Sequence, residues 1–314
     1  MLKSLRRNPA INAFFRSFLR SFNNMLNGKL EPITRRWRVS GVIPLRYAEI
    51  DFKMYAACDD YIVNALYYEQ FDWENVEVSL YLQLIKSSSV IFDVGANTGV
   101  YSILGSKTVA MTDAHIYSFE PNGINAARFA RNLALNNIKN AELVEQALGE
   151  KEAVISFSIP VDGRITDVSS ADGDYSRKMY NHAIEWKEVS VAQTSIDLFA
   201  NQRQLKFIDL MKIDVENYEI PVFKGAKKSL MKYKPVILCE VFYSEEKKSF
   251  FDPYLSECGY SIYELRRNQL TLLKNGLAPL AHGNNYVFAP FKIKEDHVTF
   301  SEFTKLLFAF RVNY

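Results

Sequence analysis

With 314 residues, 48% of them hydrophobic and 24% charged, the chain is long enough to bury one large core or two modest ones. Its three cysteines, Cys58, Cys239 and Cys258, are odd in number and far apart, which argues against a disulfide framework or a zinc site and favours a reducing compartment. No apolar run approaches the roughly 18 residues that a membrane span needs, and nothing resembles a cleaved signal sequence. We therefore expect a cytoplasmic protein, with peripheral attachment at the inner membrane surface as an open alternative.

The first 38 residues are strongly basic, because nine of them are Lys or Arg and only Glu31 is acidic. Large apolar residues recur in this region at helical spacing: Ile11, Phe14, Phe15, Phe18, Phe22, Met25 and Leu26. We predict a basic amphipathic helix within a helical extension that covers residues 1–50. Three roles remain open for residues 1–38: packing on the protein's own domain or on a partner subunit, attachment to an anionic membrane surface, or contact with nucleic acid.

Residues 51–85 are predicted to form a helical lead-in, with helices over Tyr61–Tyr68 and over 76–84. The main domain is predicted over 86–292. It begins with a β-rich apolar strand, Val90–Val94, then a glycine-containing loop and a helix over 98–109. A second strand is predicted over His115–Phe119, and apolar residues at three-to-four spacing predict a helix over 122–138. Strands over 141–147 and 153–159 are predicted to follow.

Turn-forming residues dominate 160–187, which we interpret as a loop insertion over the site. Regular alternation resumes with strands over 189–193, 207–213 and 235–241, and with helices from 195, over 216–233 and over 245–257. Later strands are predicted around 260–265 and 285–288, and a helical tail over 293–314. Strands that alternate with helices indicate an α/β fold with a doubly wound, largely parallel sheet.

Polar residues follow five of these predicted strands. In open parallel sheets, ligands bind beyond the carboxyl ends of the strands, so these residues are the first candidates for a site. They are Asp93 with the loop after it, Glu120-Pro121, Gln146-Ala147, Asp214-Val215-Glu216 and Glu240.

The loop after the first strand has the pattern Asp-x-Gly-x-Asn-x-Gly, from Asp93 to Gly99. Glycine lets the backbone approach a ligand closely, and an acid at the head of the loop repels phosphate and suits the ammonium of a methionine moiety. A dinucleotide site has a different glycine spacing. Glu120 follows Gly99 by 21 residues and can accept both hydroxyls of a ribose, with Gln146 and Ala147 beside the adenine. The pattern favours S-adenosylmethionine as cofactor.

Five sequence runs resemble the FkbM family of S-adenosylmethionine-dependent methyltransferases, over residues 85–290. They are IFDVGANTGVYS (91–102), YSFEPNGINAARFARNLALNN (117–137), LMKIDVENYEIPVFKGAKKSL (210–230), KPVILCEVF (234–242) and NNYVFAP (284–290). The resemblance implies a class I methyltransferase (Rossmann-like) fold with a seven-stranded, mostly parallel sheet and an antiparallel last strand. It also implies O-methylation, often of sugars or small metabolites. One departure is Asn217, where the family usually has glycine; Asn tolerates unusual backbone angles better than most residues.

The predicted cofactor-binding residues are Asp93, Gly95, Ala96, Asn97, Thr98, Gly99, Tyr101, Glu120, Pro121, Gln146, Ala147 and Asp214. Methyl transfer to a hydroxyl benefits from a base, and the candidates are Asp214, Glu216, Glu240 and His182. Three of these residues also have possible roles outside catalysis. Glu216 can cap its own helix, Glu240 can form an ion pair with Lys212, and His182 can be exposed to solvent. We expect no required metal.

We therefore predict an S-adenosylmethionine-dependent methyltransferase that acts on a hydroxyl of a sugar, glycan or other small metabolite. Two alternatives are an RNA methyltransferase and a non-catalytic scaffold with a methyltransferase fold. Nucleic acid is disfavoured as a partner, because the chain beyond residue 38 is net negative and shows no base-stacking platform. A peripheral membrane or protein contact through residues 1–38 remains open, and the sequence predicts no oligomeric state.

Overall fold

The computed structural model of the protein describes residues 8–26, 37–58, 60–68, 74–161, 169–173, 185–280 and 283–313. The helices in these ranges are α1 Pro9–Met25, α2 Tyr61–Tyr68, α3 Asn75–Leu84, α4 Val100–Thr108, α5 Gly123–Leu135, α6 Ile196–Gln202, α7 Glu219–Lys224, α8 Lys227–Tyr233, α9 Glu245–Glu257 and α10 Phe300–Asn313. The strands are β1 Ser40–Tyr47, β2 Ile50–Ala57, β3 Val90–Val94, β4 His115–Phe119, β5 Ala141–Val144, β6 Ala147–Leu148, β7 Ala153–Pro160, β8 Trp186–Thr194, β9 Leu210–Ile213, β10 Val236–Glu240, β11 Ser261–Arg266, β12 Gln269–Leu272, β13 Asn285–Ala289 and β14 His297–Thr299.

Nine strands of the described residues form one sheet in the order β14-β12-β11-β13-β10-β9-β3-β4-β5. The five strands from β10 to β5 are mutually parallel, β13 is antiparallel to β10, and β11 is antiparallel to β13. The seven strands from β11 to β5 therefore confirm the predicted mostly parallel sheet with a reversed last strand. Two antiparallel strands that the sequence did not predict, β12 and β14, extend this sheet at one edge.

Each face of the large sheet carries its own buried core, because successive residues of a strand point to opposite faces. In β3, Ile91 packs into the cluster that α3, α4 and α10 cover, whereas Phe92 packs into the cluster that α6, α7, α8 and α9 cover. Leu210 and Met211 of β9 divide between the two cores in the same way. Helices on both faces hold the strands in register and fix the positions of the residues at the carboxyl ends.

A β-hairpin replaces part of the predicted helical extension and lead-in. β1 and β2 pair along their whole length across a turn at Ala48, which has a φ of 48°. The prediction of helix over 51–57 was wrong, because Phe52, Met54 and Ala56 alternate with exposed or half-buried residues and are buried on one face. Asn132 of α5 fixes the hairpin to the main domain by accepting a hydrogen bond from the Tyr55 amide at 2.7 Å. The N-terminal region is therefore packed on the domain that follows it.

β6, β7 and β8 form a separate three-stranded sheet. β8 pairs in parallel with β6 and in antiparallel with β7. The predicted insertion over 160–187 connects β7 to β8, and its described part, residues 169–173, returns to β7 through paired backbone bonds between Ser158 and Ser170. None of the helices in the described ranges is long and apolar enough to span a membrane.

Candidate active site

A cavity of about 530 Å³ opens at the carboxyl ends of β3, β4, β9 and β10. Its volume lies within the range of about 300–1,000 Å³ that small-molecule sites occupy. Most of the residues predicted for the site line this cavity: Gly95, Ala96, Asn97, Thr98, Tyr101, Glu120, Pro121, Gln146, Ala147, Asp214, Glu216 and Glu240. The structure thus brings together, in one cavity, residues that the sequence spreads over some 145 positions.

The glycine loop follows β3 and lies against the end of β4, where the amides of Gly95 and Ala96 both donate to the Phe119 carbonyl at 3.0 Å. Gly95 and Gly99 have φ values of 79° and 91°, which are strained for any residue with a side chain. A Cβ on Gly95 would meet the Asp214 carbonyl oxygen at 1.7 Å, and one on Gly99 would meet the ring of Phe129 at 2.1 Å. The structure therefore requires both glycines for close packing within the protein, rather than only for the approach of a ligand.

Asp93 is not among the residues that line the cavity, and its predicted contact with the ammonium of a methionine moiety stays a prediction. Its side chain is completely buried, and its Oδ2 accepts a hydrogen bond from the Ser102 hydroxyl at 2.6 Å. Burial raises the pKa of Asp93, and the nearby ammonium of Lys212 partly opposes that shift. Asp93 therefore acts from behind the loop, where it fixes the first turns of α4 against β3.

Glu120 ends β4 and lines the cavity, as its predicted contact with a ribose requires. Its two carboxylate oxygens accept the backbone amides of Asn97 at 2.9 Å and Asn122 at 2.8 Å, which hold the side chain in one orientation. The Asn125 side chain is a third hydrogen-bond partner of this carboxylate, so about one of its four acceptor sites stays open for a hydroxyl. Burial raises the pKa of Glu120 to about 7, although these amide bonds favour the charged form.

Several further features fit an adenosine-containing cofactor. The Oδ1 of Asn97 and the Oγ1 of Thr98 are buried in the loop and find no hydrogen-bond partner within the described part of the chain, which is unusual for buried polar atoms unless a ligand or water meets them. Gln146 and Ala147 line the cavity beside apolar Leu148 and Phe157, as a flat heterocycle prefers. The loop, Glu120 and this apolar end form a continuous cradle.

The other wall of the cavity is rich in carboxylates. Lys212, at the end of β9, donates to Asp214 at 3.0 Å, so the ion pair considered for Lys212 and Glu240 forms with Asp214 instead. Burial, followed by the negative charges of Asp214 and Glu216, raises the pKa of Glu240 well above its ordinary value. Glu240 therefore holds a proton at neutral pH and shares it with Asp214 through their side-chain hydrogen bond.

Glu74 is a site residue that the sequence did not predict. It precedes α3 in a left-handed conformation with a φ of 41°, lines the cavity, and accepts a hydrogen bond from the Tyr101 hydroxyl at 2.6 Å. Burial raises its pKa to about 7, with the ammonium of Lys212 opposing the shift. No motif marks this position, because Glu74 reaches the site from a segment that precedes the sheet.

Glu216 and Asn217 form the turn after β9 and connect it to the insertion. Both have positive φ values, 49° and 75°, so Glu216 does not cap its helix: α7 begins at Glu219. The Asn217 side chain donates to Asp172 at 2.7 Å, and the Ser170 hydroxyl donates to the Glu216 carbonyl at 2.5 Å. Asn217 thus adopts the positive φ for which glycine is suited, and its side chain anchors residues 169–173 through the hydrogen bond to Asp172.

Two further predictions concern the base His182 and the expectation that no metal is required. His182 lies outside the described residues, so its proposed role as a base stays a prediction. In the described ranges, no group of three or more His, Cys, Asp or Glu side chains has the geometry to hold a metal ion.

A family model of the methyltransferase FkbM domain matches residues 93–262. The chain belongs to this family. The matched region runs from Asp93 to Ile262 of β11 and therefore contains the glycine loop, Glu120, the turn after β9 and Glu240. The match confirms the predicted FkbM methyltransferase domain, and with it S-adenosylmethionine as the cofactor. Glu74 and the β1–β2 hairpin lie outside the matched region.

Curated relatives include Methyltransferase 1 of Beauveria bassiana (strain ARSEF 2860), which is 23% identical over 147 residues, 44% of this chain and 58% of that protein. The 2-O-methyltransferase NoeI of Sinorhizobium fredii (strain NBRC 101917 / NGR234) is 29% identical over 158 residues, 48% of this chain and 62% of that protein. The chain thus spans less than two thirds of the length of either relative.

Solved structures with a similar fold include methyltransferase FkbM from Methylobacillus flagellatus KT, with a TM-score of 0.40 and 17% identity over 73% of this chain and 55% of that one. Another is a SAM-dependent methyltransferase from Agrobacterium tumefaciens, with a TM-score of 0.43 and 9% identity over 81% of this chain and 71% of that one.

Proposed function

We propose that the protein transfers the methyl group of S-adenosylmethionine to a hydroxyl oxygen of a sugar, a glycan or another small metabolite. The observation that carries this proposal is the arrangement of the cavity, in which a cofactor cradle from Gly95 to Ala147 faces a wall of hydrogen-bonding carboxylates. Such a wall can bind hydroxyl groups and remove a proton from one of them. The name of the relative NoeI, a 2-O-methyltransferase, agrees with an oxygen acceptor.

The bound cofactor supplies an electrophilic methyl group, and the protein has to hold the acceptor oxygen in line with it at about 3–3.5 Å. Glu120 and the loop after Asp93 fix the cofactor on one side. On the other side, the hydrogen-bonded pair of Asp214 and Glu240 offers both an acceptor and a donor to the acceptor hydroxyl. The ion pair with Lys212 holds the Asp214 side chain in place.

Glu74 is the carboxylate best suited to take the proton of the acceptor hydroxyl. A general base works best when its pKa lies near the working pH, and the pKa of Glu74 is raised to about 7. Glu240 already holds a proton, and Asp214 is paired with Lys212. The hydrogen bond from Tyr101 fixes the orientation of the Glu74 carboxylate.

Two other functions fit less well. An RNA methyltransferase has to admit a phosphate backbone, but the described residues that line this cavity include five carboxylates and two cationic side chains, Arg38 and Lys212. A non-catalytic scaffold would not need a preserved cofactor cradle, and here the loop and Glu120 remain in place.

The experiment is an assay of methyl transfer from isotopically labelled cofactor to a panel of nucleotide sugars, lipid-linked glycans and RNA. We expect label in a sugar-containing acceptor as a base-stable methyl ether. Label in RNA alone would overturn the proposed acceptor class, and a protein that binds cofactor but methylates nothing in a broad panel would favour the scaffold.

A further inference from the structure

Helix α1 packs on the protein through its polar face, whereas an amphipathic helix usually packs through its apolar face. Asn12, Arg16 and Asn23 lie along one stripe of the helix and are all buried. Asn12 donates to the Arg38 carbonyl at 2.9 Å and accepts the Ser40 amide at 3.0 Å, and Arg16 donates to the Ser40 carbonyl at 2.9 Å. Side-chain hydrogen bonds to the β1 strand therefore fix the orientation of this helix.

The apolar face of α1 consequently points away from the protein. It is formed by Phe14, Phe15, Phe18, Phe22 and Met25. Phe14 is 72% exposed, Phe18 60% and Met25 66%, and Phe18 stacks on Phe22 with ring centroids 5.9 Å apart. Scattered apolar residues on a surface need no explanation, but a contiguous row of phenylalanines marks an interaction surface.

A second copy of this chain is a poor partner for this face. The face is a single row of five side chains on one helix of 17 residues, about 25 Å long, and therefore a small surface for a protein interface. A stable interface needs about 800 Å² from each partner. A symmetric dimer would also bring together two segments that each carry nine basic residues and one acid within their first 38 positions.

We propose that this face of α1 inserts at the surface of an anionic lipid bilayer. The sequence just before α1 carries Lys3, Arg6 and Arg7, and the sequence after it is basic as well. A helix with a phenylalanine-rich face and a basic sequence around it matches an interfacial helix, in which apolar burial and attraction to anionic headgroups add together. Nucleic acid would be met by the basic residues but gives the apolar face no partner.

The test is co-sedimentation of the full chain with vesicles of phosphatidylcholine, with and without phosphatidylserine. The main variant combines Phe14→Ser, Phe18→Ser and Phe22→Ser, which are exposed positions where substitution affects folding little. The matched control combines Leu306→Ser, Phe308→Ser and Val312→Ser, which removes a similar exposed apolar surface from α10. Thermal unfolding checks that both variants fold like the wild type.

We expect binding to phosphatidylserine-containing vesicles that falls at least about tenfold in the α1 variant and does not change in the α10 control. Without phosphatidylserine, binding should be at least about tenfold weaker. Equal binding by the wild type and the α1 variant would overturn the proposal. So would a wild type that stays in the supernatant when the vesicles sediment. Dimerisation by light scattering that the α1 variant abolishes would assign the face to a second copy instead, and RNA binding that needs the phenylalanines would also contradict the lipid assignment.

Discussion

The two walls of the cavity are built in different ways. The cofactor wall comes from residues close in sequence, within 95–147, whose positions are fixed largely by backbone bonds: the glycine loop on Phe119 and Glu120 on two amides. The carboxylate wall is assembled from three distant segments, represented by Glu74, Asp214 and Glu240, and depends on side-chain contacts. Backbone contacts tolerate change in the surrounding side chains, so the first wall can stay constant while the second adapts to an acceptor.

The largest effect should come from Gly95→Ala in the cofactor wall. The new Cβ would overlap the Asp214 carbonyl, 1.7 Å away, at a φ of 79°, so the loop or the turn after β9 has to move. We expect the free energy of unfolding to fall by about 2–4 kcal/mol, measured by chemical denaturation. The matched control is Gly123→Ala, whose Cβ would meet nothing within 4 Å. Equal stability of the two variants would contradict this packing role.

Glu74→Gln tests the carboxylate wall. Once an acceptor is known, kcat should fall by about 10²-fold or more because the base is lost, while the affinity for S-adenosylhomocysteine should stay within about twofold. In the wild type, kcat should rise with pH through about 7 as Glu74 ionises, and the variant should lack this limb. The control is Glu152→Gln, which changes an exposed glutamate that does not line the cavity. An unchanged pH profile in Glu74→Gln would rule out Glu74 as the base.

Asn217→Gly should separate the two roles of this turn. Glycine retains the backbone conformation at a φ of 75° but removes the hydrogen bond to Asp172. The loss of one such bond, about 1 kcal/mol, should increase the rate of limited proteolysis within residues 169–173 by about fivefold. The same cleavage rate as the wild type would show that the bond does not hold the segment.

The smallest effect should appear in the pH dependence of stability. A carboxyl whose pKa is raised on folding favours the folded state when protonated, so its contribution is lost as pH rises through the folded pKa. Glu74, Glu120 and Glu240 all have raised pKa values, so the ligand-free protein should melt at a higher temperature at pH 6 than at pH 8. Glu240→Gln removes one of these groups, so it should stabilise the protein at pH 8 and flatten this slope. A melting temperature that rises with pH would contradict the assigned shifts.

The sequence predicted that the residues of the cofactor wall lie together at one edge of the sheet, because its signals are local. A strand, a glycine loop and a strand-end acid are all visible within 31 residues, from Val90 to Glu120, and parallel strands bring their carboxyl ends to one edge. The direction of Asp93 could not be predicted, because the same position can face either the cavity or the hydroxyl of Ser102. The packing role of Asp93 depends on the position of α4, which carries Ser102.

The carboxylate wall and the N-terminal region were harder to predict. Glu74 enters the site from a single left-handed residue before α3, and no spacing marks such a contact. The β1–β2 hairpin did leave a signal, the alternation of Phe52, Met54 and Ala56, but it competes with helix-compatible residues around it. The side-chain amides of Asn132 in α5 and of Asn136 just after it, far along the chain, help to stabilise the extended form.

The central claim is that this cavity holds S-adenosylmethionine with Glu120 at its ribose. Calorimetric titration of S-adenosylhomocysteine into the wild type, Glu120→Ala and the exposed control Glu152→Ala tests it most directly, with circular dichroism to verify folding. We predict binding by the wild type and the control, and a loss of about 10–100-fold in Glu120→Ala, since a charged acceptor contributes about 1.5–3 kcal/mol. Absence of binding by the wild type, or equal affinity in Glu120→Ala, would contradict the account.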